Sequence, residues 1–426
     1  PDRGVYAATA NGTQMLGGTE YDDVQPNVPN GLIRAGLAFG STALDAVHLQ
    51  IKTGSGFAFG YYDEEAGRVF RAVGSTAESS VAVVADTNVT VGSSTFGVYH
   101  IELGDTYADF EAAQAAAAAH GGYPVFYNGT YRVRVGSFET ADAASASSAA
   151  ASGSVVSGGS RGVLVVKAGT DQILFGFDCG STKSLTLAPQ NSSGAAITQV
   201  SECKYRSTDR SCTYYGDFQF PRFDTQQPQK LTLVNFVDLE SYVKGVVPYE
   251  MSSGWPLEAL KAQAVCARTY AASHMNGVPA YGFDITATTT SQVYLGTIDA
   301  STNSDRAVDE TAGKFVRYQG KLCETFFFAA DGGATENSEN VWVAEVPYLR
   351  GVIDPYEKDI DFYCKSWGTS VSRDAVGDIS VTYTPIGNVM TVTVGGKTYS
   401  KDNVRTFLTK ICGLRYNSRH FTVEYD

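Results

Sequence analysis

Histidine is scarce in this chain. Five occur in 426 residues, at His48, His100, His120, His274 and His420, and none falls in a metal-ligating spacing such as H-E-x-x-H. We therefore expect no bound metal and no cofactor. Long apolar runs are missing too: no stretch of about eighteen apolar residues exists, so this sequence contains no membrane span. Basic clusters are absent, and 45 acidic residues against 32 basic ones give a formal charge of −13. A nucleic-acid partner would need a positive groove for its phosphates, and the chain offers none. There is no C-x-x-C, although seven cysteines are present, and an odd number leaves at least one unpaired in a monomer. Cys203 and Cys212, close in the chain, form the best disulfide candidate, whereas Cys266 reads as a buried free thiol.

What is present is ample core material. With 43% hydrophobic and 12% aromatic residues, the chain can build two to four domains. Acidity with abundant Gly, Ser, Thr and Tyr fits an extracytoplasmic protein. The first residue is Pro1, not Met, which suggests a processed or truncated form. A membrane attachment would then run through an N-terminal anchor absent from this chain.

The expected architecture is α+β and multidomain. Residues 1–30 are polar and Gly- and Asn-rich, a flexible lead-in. Short strand-like runs separated by turn residues make 31–95 β-rich. Residues 96–170 alternate in type: a strand at 97–103, an Ala-rich helix at 107–120 closed by Gly121 and Gly122, and a strand at 123–127. The Asn128-Gly129 turn, a strand at 131–136, a helix at 141–151 and a last strand at 162–167 complete a β-α-β-β-α-β order. A β-rich connection covers 171–204. From 205 to 426 an α+β domain builds through an apolar strand at 231–237, strands at 315–318, 322–328 and 390–394, and a late helix at 404–412.

Within that last domain, Glu250 sits just ahead of an amphipathic helix. Ser253 and Gly254 are cap candidates, Trp255-Pro256 opens the first turn, and Leu257, Leu260, Ala264 and Ala267 repeat on one face. A helix N-terminus would favour the charged carboxylate, whereas an apolar surround with Met251 and Trp255 would raise its pKa. The run V-V-P-Y-E-M, then W-P-x-E-A-L-K-A-Q-A-V-x-A-R-T-Y-A, resembles the signature of the stage II sporulation protein D family. Further pieces follow in order: Phe283-Asp284, Ser291 to Tyr294, Asp331 to Glu336, Val341-Trp342, Pro347 to Leu349, and Leu414-Arg415 to Val423. The resemblance spans residues 205–426. Upstream, Thr130 to Phe138 followed by an Ala-rich helix resembles the sporulation-related repeat domain, which implies a module that binds denuded glycan strands. The alternative is an ordinary split β-α-β unit without a ligand.

The resemblance implies a peptidoglycan lytic transglycosylase that cleaves between N-acetylmuramic acid and N-acetylglucosamine, with Glu250 as acid and then base. Such a reaction needs one carboxylate, because the muramic C6 hydroxyl is the nucleophile, whereas an ordinary glycosidase needs two. Arg268, Tyr270, Gln292, Tyr294, Asp331, Gly332, Gly333 and Thr335 are the candidate substrate contacts. Core packing is the alternative for Gln292 and Tyr294, a structural acid for Arg268, a plain turn for Asp331 to Thr335, and packing for Trp255 and Trp342. Relatives carry Cys and His where this chain reads Thr286 to Ser291, and Ser291 has no His at nucleophile-activating spacing. Expected partners are peptidoglycan glycan strands and a cell-wall amidase. Two rivals stand beside the enzyme: a non-catalytic wall-binding or amidase-stimulating protein, and a hydrolase with Asp331 as second carboxylate.

Overall fold

The computed structural model describes residues 5–9 and 12–16 as backbone, and 26–159, 161–204, 210–222, 227, 229–360, 368–401, 403–413 and 419–424. Tyr205, Cys364 and Leu414-Arg415 lie outside the described residues. The chain divides into a larger unit, Gln25–Val316, and a smaller one formed by Pro1–Val24 with Arg317–Asp426. Among the described residues no helix is long and apolar enough to cross a membrane.

Six strand-like runs of 31–91 all form strands: Leu32–Ala38, Ala46–Thr53, Phe57–Asp63, Val69–Thr76, Ser80–Ala85 and Val89–Val91. They do not form a sheet of their own. Ala46–Thr53 and Ser80–Ala85 enter a ten-stranded sheet, while Leu32–Ala38, Phe57–Asp63 and Val69–Thr76 enter a seven-stranded one. The seven-stranded sheet runs Ile285–Thr286, Leu32–Ala38, Leu233–Asp238, Asp217–Gln219, Thr186–Pro189, Phe57–Asp63, Val69–Thr76. Strands from three of the expected domains are thus hydrogen-bonded neighbours, and the sheets run across the boundaries expected at 95, 170 and 204. The central strands Ser80–Ala85 and Val163–Lys167 are buried almost throughout, as strands covered on both faces must be. Phe59 of one sheet stacks on Phe175 of the other at 4.8 Å, and Phe110 meets both edge-on.

Tyr99–Leu103, helix Phe110–His120, Tyr123–Tyr127, Thr130–Phe138, helix Ala141–Ala146 and Gly153–Ser157 follow the β-α-β-β-α-β order. Their strands lie in the order fourth, first, third, second. The fourth strand differs from expectation. It is Gly153–Ser157, whereas Val163–Lys167 pairs with Ile173–Asp178 and Ser80–Ala85. The Ser-rich run cannot carry the second α-helix to 151. It stops at Ala146, where serine hydroxyls compete for backbone groups, as Ser147 Oγ does for Ala144 O. Tyr123–Tyr127 also pairs in parallel with Ile173–Asp178, so the four strands continue into the larger sheet.

In the smaller unit, Val5–Thr9 pairs with Gly12–Leu16. Ile379–Tyr383, Val389–Val394 and Lys397–Ser400 form an antiparallel sheet, against which helix Asn403–Lys410 buries Val404, Phe407 and Leu408. The strand expected over 322–328 ends at Leu322. Phe326 and Phe328 are exposed, and no strand pairs with that run among the described residues.

One buried ion cluster ties distant segments of the larger unit together. Asp284 accepts from the Arg34 backbone N at 2.8 Å, from Arg34 Nη2 at 2.8 Å, from Arg68 Nη1 and Nη2 at 2.8 and 2.9 Å, and from Asn276 N at 2.9 Å. All three side chains are buried. Burial alone would raise the Asp284 pKa, but the two guanidinium groups outweigh it and hold the carboxyl below the usual carboxylate range. Asp284→Asn should therefore cost about 3–5 kcal/mol of unfolding free energy, because two buried cations lose their counter-charge. A depressed folded pKa gives stability that is complete above the unfolded value of about 4 and is lost as pH falls through the folded value. Denaturant melts of wild type and variant should differ strongly at pH 7 and converge only once the pH is below the folded value of Asp284.

Candidate functional site

The strand Leu233–Asp238 runs directly into helix Leu239–Lys244, because the Asp238 carboxylate caps it by accepting from Glu240 N and Ser241 N at 3.0 and 3.1 Å. Pro248 lies in the first turn of the short helix Val247–Glu250, and Met251 turns extended and ends it. Glu250 therefore closes a short helix. It does not start the long one, Leu257–Ser273, whose N-cap is Pro256. The long helix buries Leu260, Ala264, Ala267 and Ala271 on one face, while Trp255 is exposed.

The Glu250 carboxylate is half-buried and held by a single bond. Its Oε1 accepts from Val293 N at 2.8 Å, and among the described residues Oε2 has no hydrogen-bond partner. Burial raises its pKa; the Val293 N–H opposes this and the net direction is upward. One oxygen is thus fixed, and the other is free to carry and deliver a proton.

Two inward-facing neighbours aim Val293. Gln292 is fully buried: its Oε1 accepts from Tyr242 Oη at 3.2 Å and its Nε2 donates to Ala267 O at 3.3 Å. Tyr294, 1% exposed, donates from Oη to Asn235 Oδ1 at 2.7 Å and packs its ring 4.7 Å from Tyr242. The alternation of a strand-like segment sends Gln292 and Tyr294 inward and leaves Ser291 and Val293 half-buried. Both residues were candidate sugar contacts; they are supports instead. The Tyr294 ring lies so close to Gly245 that a Cβ there would come within 2.4 Å of it.

Arg268 corrects the expectation in the same way. Its side chain is wholly buried and grips both oxygens of Glu240, Nε donating to Oε1 at 2.8 Å and to Oε2 at 3.1 Å, and Nη2 to Oε2 at 2.6 Å. Nη2 also donates to Val308 O, so one arginine joins three helices: Leu239–Lys244, Leu257–Ser273 and Thr302–Asp309. Tyr270 is half-buried and stacks on His274 at 4.0 Å. In the segment 286–291, the hydroxyls of Thr286 and Ser291 meet at 3.0 Å, and Thr288 to Thr290 are exposed. Tyr249 carries a role the sequence did not reveal: its hydroxyl donates to Gly296 O at 3.4 Å and accepts from Asp299 N at 3.0 Å, latching the loop beyond Tyr294. Arg34, Arg68 and Glu240 were likewise missed, since no motif links positions so far apart.

Asp331, Gly332, Gly333 and Thr335 belong to the smaller unit. Gly332 and Gly333 take φ of 75° and 96°, a left-handed turn that favours glycine. Gly333 N is shared by Asp331 Oδ1 and Glu357 Oε2, each at 2.7 Å. Burial, and then a hydrogen bond with Glu357, push the Asp331 carboxyl up to about 6. Thr335 is engaged by backbone, accepting from Val352 N at 2.9 Å. Glu336 is a structural node: Oε1 accepts from Asn340 and Oε2 from Thr384 and Asn388. Trp342 is exposed, with the Phe326 ring at 4.8 Å.

These features describe an α+β protein in which a half-buried carboxylate at the end of a short helix is anchored on one backbone amide. The sequence profile of the stage II sporulation protein family matches residues 227–318, and this segment is similar to that family. It is 34% identical over 209 residues to a stage II sporulation protein D of Bacillus amyloliquefaciens, covering 43% of this chain and 59% of that one. It is 37% identical over 142 residues to an amidase enhancer of Bacillus subtilis, covering 33% and 18%. An uncharacterized protein of Brachyspira hyodysenteriae is 46% identical over 144 residues, covering 33% and 37%. The chain spans less than two thirds of the length of each of these relatives.

Gly245→Ala should drive a methyl group into the Tyr294 ring and lower stability by about 1–3 kcal/mol in denaturant melts. The Asp331 and Glu357 pair makes a second prediction. A carboxyl whose folded pKa is raised adds stability below the unfolded value of about 4, and this is lost as pH rises through the folded value. Amide exchange at 331–357, corrected for intrinsic pH dependence, should become less protected between pH 5 and pH 7 in wild type. In Asp331→Asn this change should vanish.

Proposed function

We propose that this protein is a peptidoglycan lytic transglycosylase acting on denuded glycan strands. It would cleave between N-acetylmuramic acid and N-acetylglucosamine and leave anhydromuramic ends. The observation that carries this reading is the Glu250 carboxyl: one oxygen anchored on a backbone amide, the other open, and a pKa raised by burial. In the first half of the reaction Glu250 donates its proton to the glycosidic oxygen of the leaving sugar. In the second, the resulting carboxylate takes the proton of the muramic C6 hydroxyl as that oxygen closes on C1. The nucleophile is already part of the substrate, so proximity replaces the second carboxylate of an ordinary glycosidase.

The exposed hydroxyls of Thr288 to Thr290, close in sequence to Val293, are suited to sugar hydroxyls. The β-α-β-β-α-β unit is assigned to glycan binding in this proposal, through its resemblance to the sporulation-related repeat. In this proposal glycan handling places the protein outside the cytoplasm, and by family analogy an amidase that strips the stem peptides acts upstream, with sporulation engulfment as the setting if the organism forms spores.

A second reading, recognition of the wall without cleavage, draws support from the relative named an amidase enhancer and from the lack of Cys and His in segment 286–291. Mass spectrometry of amidase-treated glycan after incubation with wild type and Glu250→Gln separates the readings. Anhydromuramic ends from wild type, reduced about 10²–10⁴-fold in the variant, are expected; intact glycan from both overturns the enzyme, and reducing ends overturn the transglycosylase. Because the acid form starts the reaction, the rate should fall about tenfold per pH unit above the Glu250 pKa, a limb that the variant lacks.

A further inference from the structure

Aromatic rings are covered almost everywhere in the larger unit. Among its described residues Trp255 is the one exposed aromatic side chain, at 55%, and it stands five residues beyond Glu250. Single apolar residues on a surface are ordinary; what distinguishes this one is how firmly its backbone is held.

Trp255 N donates to Ser252 O at 3.0 Å and closes a turn, within which Gly254 N donates to Ser252 Oγ at 3.4 Å. Asn303 Nδ2 donates to Ser253 O at 2.8 Å and to Trp255 O at 3.2 Å. Pro256 follows and disfavours the helical region for the residue before it, so the chain is fixed on both sides of the ring. Asn303 is placed in turn by the first turn of helix Thr302–Asp309, where Ser301 and Ser304 cap each other, and Arg268 ties that helix to the long one through Val308 O. From Glu250 to Ser252 the chain spans at most roughly 7 Å, and the turn from Ser252 to Trp255 less than about 7 Å. The ring and the acid therefore ride on one short segment. That segment is braced three times against residues 293–303: by Tyr249 on Asp299 N, by Glu250 on Val293 N and by Asn303 on Ser253 and Trp255.

The surroundings select the occupant. Ser252, Gly254 and Pro256 are the exposed residues around the ring in sequence, so no broad apolar patch is present of the kind that a protein interface of about 800 Å² per partner requires. A lone indole instead offers one flat apolar face, made slightly negative by its π electrons, with only two side-chain torsions to freeze. A hexosamine ring matches it, with weakly positive C–H groups on its flat face and polar groups at its edge. Because the backbone is already fixed, little ordering is lost on contact. We propose that Trp255 is the stacking platform of a glycan subsite beside Glu250, taking the C–H face of an N-acetylhexosamine ring. This assignment rests on the glycan reading above and holds whether or not the strand is then cleaved.

The test uses the full chain carrying Glu250→Gln, which the glycan reading leaves able to bind. Amidase-treated glycan strands, fractionated by length, are titrated against that parent and against the same protein with Trp255→Ala or Trp255→Phe added. Trp255→Ala should weaken binding about tenfold or more, and Trp255→Phe, which keeps a ring, should recover most of the affinity. Tryptophan fluorescence gives a readout that a merely structural role would not move: the chain has three tryptophans, and the change induced by glycan in the parent should vanish in Trp255→Phe. Both variants should melt at the parent's Tm, since the ring is exposed. Equal affinity in Trp255→Ala, or a parent that does not bind these strands, overturns the proposal. Affinity lost in Trp255→Ala, with no anhydromuramic ends produced by wild type, upholds the Trp255 subsite and overturns the transglycosylase.

Discussion

Two guanidinium groups and two backbone amides converge on the carboxylate of Asp284 inside the larger unit. Arg34 comes from the second strand of the seven-stranded sheet, Arg68 from the loop before Val69–Thr76, and Asn276 from just beyond the long helix. Such a cluster tolerates few geometries, since each charge is expensive to bury unless all partners are in place. Directly after Asp284, Ile285–Thr286 pairs with Leu32–Ala38, and the chain then passes through Ser291 to Gln292 and Val293. The position of the amide that anchors Glu250 is thus inherited from an ion cluster nine residues away in sequence.

Around that amide the supports are neutral. Tyr242, Tyr294 and Tyr214 form a run of aromatic rings, and burial raises the pKa of each hydroxyl well above its usual value. They remain protonated, and Tyr242 and Tyr294 serve as steady donors to Gln292 and Asn235. A layer without charge lets Glu250 respond to burial and one N–H alone, which favours its protonated form.

The apolar face of the long helix and the six early strands were legible in the sequence, because each rests on a local pattern of period 3.6 or period 2, whereas Glu250, expected at the entry of the long helix, ends a short helix of its own. What was not legible was direction. Gln292, Tyr294 and Arg268 have side chains equally fit for ligand or core, and only the register of the segment and the presence of Glu240 decide that they point inward. The run ending at Phe328 has strand-forming residues but no partner strand, so pattern alone overstated it. Gly153–Ser157 was hidden by the opposite fault, since a serine-rich stretch resembles a helix tail until Tyr99–Leu103 supplies its partner.

The pairing of Leu32–Ala38 with Leu233–Asp238 has a consequence in time. Leu32 must wait for Asp238, about two hundred residues later in synthesis, before it can be paired, and closing so long a loop places the step among slow, high-contact-order events. Until then Leu32–Ala38 lacks both of its neighbours, and its unpaired edges invite association with other chains. A chain emerging from a ribosome or a translocation channel therefore passes its most vulnerable interval with most of its length already outside, where a holding chaperone would have its greatest effect on yield.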